Sequence, residues 1–370
     1  MSQIRILHVV TKMDAGGIET LVMNLYRCID RNLVQFDFLL HRESKGFYDD
    51  EIKKMGGRMY YVPSINPFHH RKYIESLDYF FLTHHEYKIV HAHINAYSFY
   101  VLRAAAKARI PIRIAHSHIA NPSINLKAPF VFYCKLKIKK FATHLFACSE
   151  IAGEWLFGKT IHKSKKFHII KNAIDSKKYT FDANKRSLVR KELLIDDKFV
   201  FIHVGRFVHQ KNHRFLIDFI KQYYTHNSNI SLLLLGEGED KDKIKKMVQE
   251  NQLDNVVKFL GVTSNVNEYL SASDCFLFPS LFEGLGIVAI EAQTAGLLTI
   301  CSDKVPKEAN ISPLYHSVKL DVNQWVNEVL KNVNYKRLHN NFAFNSGYDI
   351  GETANWLQDF YIKHFVKENL

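Results

Sequence analysis

Twice along this chain, short runs of β-branched and other apolar residues alternate with helical stretches. That alternation is what a parallel sheet covered by helices requires. In the first half the runs are 4–10, 36–40, 58–62, 89–92, 112–116, 144–147 and 167–170, with helical patterns at 18–29, 69–84 and 98–108 between them. The pattern weakens after 175–178 and resumes at 199–204, followed by runs at 232–235, 256–260, 275–278 and 298–301 and helices at 212–224, 240–251 and 286–295. The expectation is an α/β protein of two doubly wound, Rossmann-like domains, 1–178 and 179–349, facing one another across a cleft at the carboxyl ends of both sheets, where ligands of such folds bind. A final stretch, 352–366, places Ala354, Trp356, Leu357, Phe360, Tyr361 and Phe365 on one helical face.

The 370 residues exceed one ordinary domain and suit two. Five scattered cysteines without a C-x-x-C spacing argue against a disulfide framework or a zinc site and fit a reducing compartment. Met1-Ser2-Gln3 leads straight into a strand, and no apolar run is long enough to cross a bilayer, so a cytoplasmic location is expected. The formal charge of +13 suits polyphosphate ligands, an anionic membrane or nucleic acid. No nucleic-acid motif is present in the sequence, and no nucleic-acid partner is expected.

The densest candidate site follows the run Cys275-Phe276-Leu277-Phe278. Pro279 ends the strand, a loop carries Glu283, Gly284, Leu285 and Gly286, and 287–294 opens a helix. The unpaired NH groups and positive dipole of a helix start favour a phosphate, and the two glycines let it come close. Glu283 and Glu291 bracket that position, roughly 12 Å apart at about 1.5 Å per helical residue, the span from the sugar to the ribose of a nucleotide diphosphate sugar. Carboxylates accept hydrogen bonds on both oxygens, which suits vicinal hydroxyls. These residues alone are equally compatible with a helix cap followed by a solvent-facing Glu.

Other signals are weaker. Asp14-Ala15-Gly16-Gly17-Ile18-Glu19 follows the first strand and can expose NH groups to a phosphate, although it lacks the full dinucleotide-binding glycine spacing. Gly205-Arg206 with Lys211 would put two cations beside a leaving diphosphate, or form a solvated basic turn. Leu232–Gly238, including Gly236, runs a buried strand into a flexible turn. His91 with His93 and His116 with His118 end two strands, each pair on one face of its strand. A metal is discounted because no third and fourth ligand is evident. Asp240-Lys241-Asp242 is read as acidic residues at a helix start rather than a metal motif, and no cofactor is expected. The run Asn125–Lys140 mixes aromatics with five lysines and no acid; it suits either an anionic membrane surface or an ordinary helix with a basic outer face.

In order along the chain, Gly16-Gly17 with Glu19, Arg206, Lys211, and the E-x7-E pair Glu283 and Glu291 resemble the retaining enzymes of glycosyltransferase family 4. The run Ser302–Glu308 is similar to the corresponding part of bacterial capsule and exopolysaccharide transferases. The resemblance spans nearly the whole chain and implies the GT-B fold, with the last helix, 350–370, packing back on the first domain. It implies an acceptor-side first domain and a second domain that binds the nucleotide-sugar, a UDP-sugar by preference. By the same resemblance Glu283 holds the donor sugar, Glu291 the ribose, and Gly16, Gly17, Gly205, Arg206, Lys211, Gly236 and 284–286 surround the diphosphate. The nucleobase would lie beside 260–265, and His118, with His116 next to it, would line the reaction centre. The implied acceptor is a hydroxyl of a growing surface polysaccharide carried on a polyprenyl diphosphate. The family needs no side-chain base, because the leaving phosphate can take the acceptor's proton. Two rivals stay open: a nucleotide-sugar epimerase on the same fold, and a non-enzymatic basic protein that binds nucleic acid or membrane.

Overall fold

A computed structural model describes residues 3–14, 16–65, 70–118 and 128–369. The chain forms two compact units, Met1–Ala173 with Ile350–Leu370, and Ile174–Asp349.

The first unit is a seven-stranded parallel sheet of β1 (Ile4–Val10), β2 (Val34–Leu40), β3 (Met59–Tyr61), β4 (Ile89–Ala92), β5 (Ile112–Ser117), β6 (His144–Ala147) and β7 (Phe167–Ile169), in the order β3-β2-β1-β4-β5-β6-β7. Its central strands are buried on both faces, so they read as continuous apolar runs rather than alternating ones. One face packs on the helices Gly17–Cys28 and Ile350–Asn369, and the other on the helices His70–Thr83 and Ser98–Lys107. The last helix docks through Ala354, Leu357, Phe360 and Tyr361. Each fully buried large apolar side chain of this kind contributes about 1.5–3 kcal/mol.

The second unit is a six-stranded parallel sheet of β8 (Phe199–Val204), β9 (Ile230–Leu235), β10 (Val257–Gly261), β11 (Cys275–Phe278), β12 (Leu298–Ser302) and β13 (Tyr315–Val318), in the order β10-β9-β8-β11-β12-β13. Strand order reverses between β1 and β4 in one sheet and between β8 and β11 in the other. These are the switch points outside which doubly wound sheets bind ligands.

The chain enters the second unit between Ala173 and Ile174, not at the expected 178/179. Ile174 NH bonds to the Tyr348 carbonyl at 2.8 Å, and the Ser176 hydroxyl donates to the Asp349 carboxylate. The stretch that looked patternless holds two helices, Ser176–Tyr179 and Ala183–Leu193, started by Asp175 and Asp182, whose carboxylates accept from helix NH groups. Strand β13 and the helix Val322–Asn332 were also not expected. In the first unit the lysine-rich run is helical over Ala128–Phe141; its first residues, Asn125–Lys127, lie outside the described residues, as does Ala15 of the glycine loop.

Candidate functional site

In the second unit, β8 and β11 stop side by side at the switch point, and the loops that leave them are tied together. The Leu281 NH bonds to the Gln210 carbonyl at 2.9 Å, and the Gln210 amide donates to the Phe282 carbonyl at 2.8 Å. Lys211 Nζ lies 2.6 Å from Glu283 Oε1 and 4.8 Å from the centre of the Phe278 ring. The sequence thus placed Lys211 and Glu283 in one site, and the fold makes them direct partners, largely shielded from water at 17% and 9% exposure. Arg206, from the same β8 loop, is exposed and makes no ion pair among the described residues.

Gly286 caps the helix Ile287–Thr294 with φ +85, and a Cβ there would stand 2.9 Å from Phe278 Cε1. Only glycine serves easily at such a position. Gly284 faces open space, with nothing within 4 Å of an added Cβ. Leu285 is half-buried. Where β8 and β9 end, the Gly205 NH bonds to the Leu235 carbonyl at 2.9 Å, and a Cβ on Gly236 would fall 2.1 Å from the Gly205 carbonyl oxygen.

Glu291, one turn into the helix, keeps some accessible surface, but burial raises its carboxyl from 4.5 to about 7. The Tyr179 hydroxyl donates to it and Lys178 lies near enough to offset part of that shift. Neither residue was anticipated; both sit in the segment that looked patternless.

In the first unit, Gly16 caps the helix Gly17–Cys28 with extended backbone, its surroundings filled by the Glu19 carboxylate, while Gly17 is open. The histidines form a larger group than the two sequence pairs. On the sheet face covered by the last helix, each central strand starts from isoleucine and carries a histidine two residues after its last isoleucine: Ile4, Ile6 and His8 on β1, with Val10 following; Ile89 and His91 on β4, with His93 following; Ile112, Ile114 and His116 on β5, with His118 following. His8 and His91 are register partners.

Their ring nitrogens connect. His8 Nδ1 and His93 Nε2 are 3.0 Å apart, His93 Nδ1 and His118 Nε2 3.0 Å, and His91 Nε2 and His116 Nδ1 3.1 Å. The Tyr361 hydroxyl lies 2.7 Å from His91 Nδ1, and Asn95 Oδ1 accepts from the His118 NH at 2.8 Å. Burial pushes His8 and His118 down to about 3 and drives His91, His93 and His116 well below the usual imidazole range, so all five are neutral near pH 7. His8 was missed, although the repeated Ile-x-His spacing on adjacent strands carries the signal. The strand order therefore brings further imidazole nitrogens within 4.8 Å of the paired histidines, which the linear spacing does not reveal.

No described helix is long and apolar enough to cross a membrane. The helix Ala128–Phe141 buries Cys134 and Ile138 and exposes Phe132, Tyr133 and Leu136 among Lys137, Lys139 and Lys140.

The chain matches the family Glycosyltransferase Family 4 over residues 15–178 and the family Glycosyl transferases group 1 over residues 184–313. It is 34% identical over 319 residues to the putative glycosyltransferase EpsF of Bacillus subtilis, covering 84% of this chain and 82% of that one. It is 26% identical to the capsular polysaccharide biosynthesis glycosyltransferase CapH of Staphylococcus aureus, over 97% of this chain and 99% of that one. A third relative, at 26% identity over 99% of both chains, is the Escherichia coli UDP-Gal:α-D-GlcNAc-diphosphoundecaprenol α-1,3-galactosyltransferase. The structure superposes on Anabaena HepE in complex with UDP with a TM-score of 0.80 at 18% identity, over 97% of this chain and 100% of that one. The fold is therefore GT-B, and the chain belongs to the group 1, family 4 glycosyltransferases.

Proposed function

We propose that this glycosyltransferase moves a sugar from a UDP-sugar, with retention at the anomeric carbon, to a hydroxyl of a growing surface polysaccharide carried on a polyprenyl diphosphate. The observation that carries the donor half is the joined loop pair of the second unit, with Lys211 and Glu283 in contact beside a glycine-started helix that holds Glu291. The acceptor half draws support from relatives named for capsular polysaccharide and for a diphosphoundecaprenol-linked acceptor.

In this reading Arg206, Lys211 and the NH groups at the start of the helix Ile287–Thr294 hold the departing diphosphate, with Gly16 and Gly17 beside it. Lys211 balances Glu283 before donor binds and the diphosphate afterwards. Glu283 then fixes the sugar hydroxyls, Glu291 with Tyr179 the ribose, and Gly236, whose lack of a Cβ lets the ends of β8 and β9 meet, lies with Gly205 beside the donor. His118, flanked by His116, is the side chain that the first unit supplies to the reaction centre. The developing negative charge is stabilised by groups already fixed before the bond breaks, often the largest catalytic effect. The leaving phosphate oxygen accepts the acceptor's proton, so no side-chain base is required. The exposed aromatic and lysine face of the helix Ala128–Phe141 suits peripheral contact with an anionic membrane, where a lipid-linked acceptor resides.

The test is a panel of nucleotide-sugars against wild type and Glu291→Ala, reading thermal stabilisation and slow donor hydrolysis. A ligand that binds the native state raises Tm with its concentration. One UDP-sugar should stabilise wild type and fail with Glu291→Ala; no stabilisation by any nucleotide-sugar overturns the reading.

A further inference from the structure

We propose that His93, His116 and His118 form a binding site for a borderline divalent metal, Zn2+ or Co2+, within the first unit. One ring nitrogen from each lies within 4.8 Å of the other two; His116 is on β5, and His93 and His118 directly follow the paired strands β4 and β5. This does not rest on the glycosyl-transfer reading.

The hydrogen bonds define which nitrogens are available. His116 Nε2 is buried and has no hydrogen-bond partner among the described residues, and the same holds for His118 Nδ1. His116 Nδ1 is engaged with His91 Nε2, and His93 Nε2 with His8 Nδ1. If His116 and His93 donate through those engaged nitrogens, their other nitrogens, His116 Nε2 and His93 Nδ1, carry lone pairs. This is the usual state of a histidine ligand, whose second ring nitrogen donates to a supporting group that fixes the tautomer. His8 and His91 are those supporting groups, and Tyr361 in turn holds His91 Nδ1 at 2.7 Å.

His93 Nδ1 and His118 Nε2 stand 3.0 Å apart and share one proton. Two imidazoles on a tetrahedral Zn2+, each at about 2.0–2.1 Å, hold their nitrogens roughly 3.3 Å apart, so the metal requires a small expansion. The proton moves to His118 Nδ1, which is unpartnered, and all three ligands stay neutral. Three imidazoles without thiolate or carboxylate select Zn2+, Co2+, Ni2+ or Cu2+ over Mg2+ or Ca2+. The alternative triad, His8 with His91 and His93, is disfavoured because both nitrogens of His91 are already engaged.

The experiment strips the full-length protein with a chelator and titrates it with Co2+ and Zn2+, reading stoichiometry by competition with a chromophoric chelator and ligation by X-ray absorption. One equivalent bound through imidazole nitrogens is expected, with binding lost in His116→Ala and His118→Ala, and weakened about 10- to 100-fold in His91→Phe. Far-UV circular dichroism checks the fold of each variant. Wild type that binds neither metal overturns the proposal, as does a bound metal whose ligands are not imidazole or whose affinity is unchanged in both folded alanine variants. The wild-type spectrum decides the matter even where a variant fails to fold.

Discussion

Lys211 Nζ and Glu283 Oε1 are 2.6 Å apart, although 72 residues separate them in sequence. The contact joins the loop after β8 to the loop after β11 and links the two groups assigned to the diphosphate and the donor sugar. In the proposed donor-binding reading, a diphosphate arriving at Lys211 would compete with Glu283 for the ammonium and free the carboxylate for the sugar. Glu283→Gln removes this competition. UDP should bind within about threefold of wild type or more tightly, whereas transfer from the UDP-sugar should fall at least about 100-fold. Calorimetry with UDP and a transfer assay, run on the same preparations, check the two arms; equal losses in both would show that Glu283 serves binding alone.

Gly286 and Gly284 stand two residues apart in the same loop and should respond oppositely to alanine. At Gly286 the backbone is left-handed and the new methyl meets Phe278 Cε1 at 2.9 Å and Val305 Cγ1 at 3.4 Å. Gly286→Ala should destabilise the protein by about 1–3 kcal/mol in urea unfolding. At Gly284 nothing lies within 4 Å, so Gly284→Ala should leave stability within about 0.5 kcal/mol. In the proposed reading its methyl would enter the space of the donor, so UDP-sugar affinity should drop.

Sequence carried the sheets because strands buried on both faces are nearly continuous apolar runs, as in Ile230–Leu235, all six of whose residues are buried. It carried the loop after β11 because a strand end, two glycines and two carboxylates at fixed spacing are local features. The helix Ala183–Leu193 was hidden because it is mostly polar, burying Val189 and Arg190, and it is anchored by bonds with no periodic signature: Arg186 and Arg190 both reach Asp274. Tyr179 was invisible as a site residue because its link to Glu291 spans more than a hundred residues. The histidine group was half legible. Each i, i+2 pair could be read, but adjacency of β1, β4 and β5 is a property of strand order, which no local window contains.

With Glu291 holding the ribose, as proposed, donor binding should depend on pH. The folded pKa of Glu291, about 7, lies above the ordinary 4.5 because burial disfavours the charged form. The contribution to stability is therefore complete below about 4.5 and is lost as pH rises through about 7. The proposed ribose contact should run the other way, since two vicinal hydroxyls need the ionised acceptor. Affinity for a UDP-sugar, whose diphosphate does not titrate in this range, should fall by up to about tenfold per unit as pH drops below about 7. Glu291→Gln should flatten that profile; a wild-type affinity independent of pH between about 5.5 and about 8 would assign the ribose to another group.

The helix Ala128–Phe141 provides the remaining prediction. No acidic residue occurs between Glu86 and Glu150, and Phe132 and Leu136, each 61% exposed, lie one helical turn apart beside Lys137, Lys139 and Lys140. Lys135 is not part of that outer face, since its ammonium sits 4.6 Å over the Trp155 ring. Each outward lysine near an anionic surface contributes about 1 kcal/mol, so replacing all three by glutamine should weaken binding to phosphatidylglycerol vesicles by roughly 100-fold. Phe132→Ser with Leu136→Ser should reduce binding by a second, salt-independent route, because it removes apolar area rather than charge. Neither change touches the donor loops, so transfer to a short water-soluble acceptor should stay near wild type while transfer to a lipid-linked acceptor in vesicles falls. Vesicle cosedimentation at two salt concentrations separates the contributions, and wild type that ignores anionic vesicles at low salt would leave the helix as an ordinary basic surface.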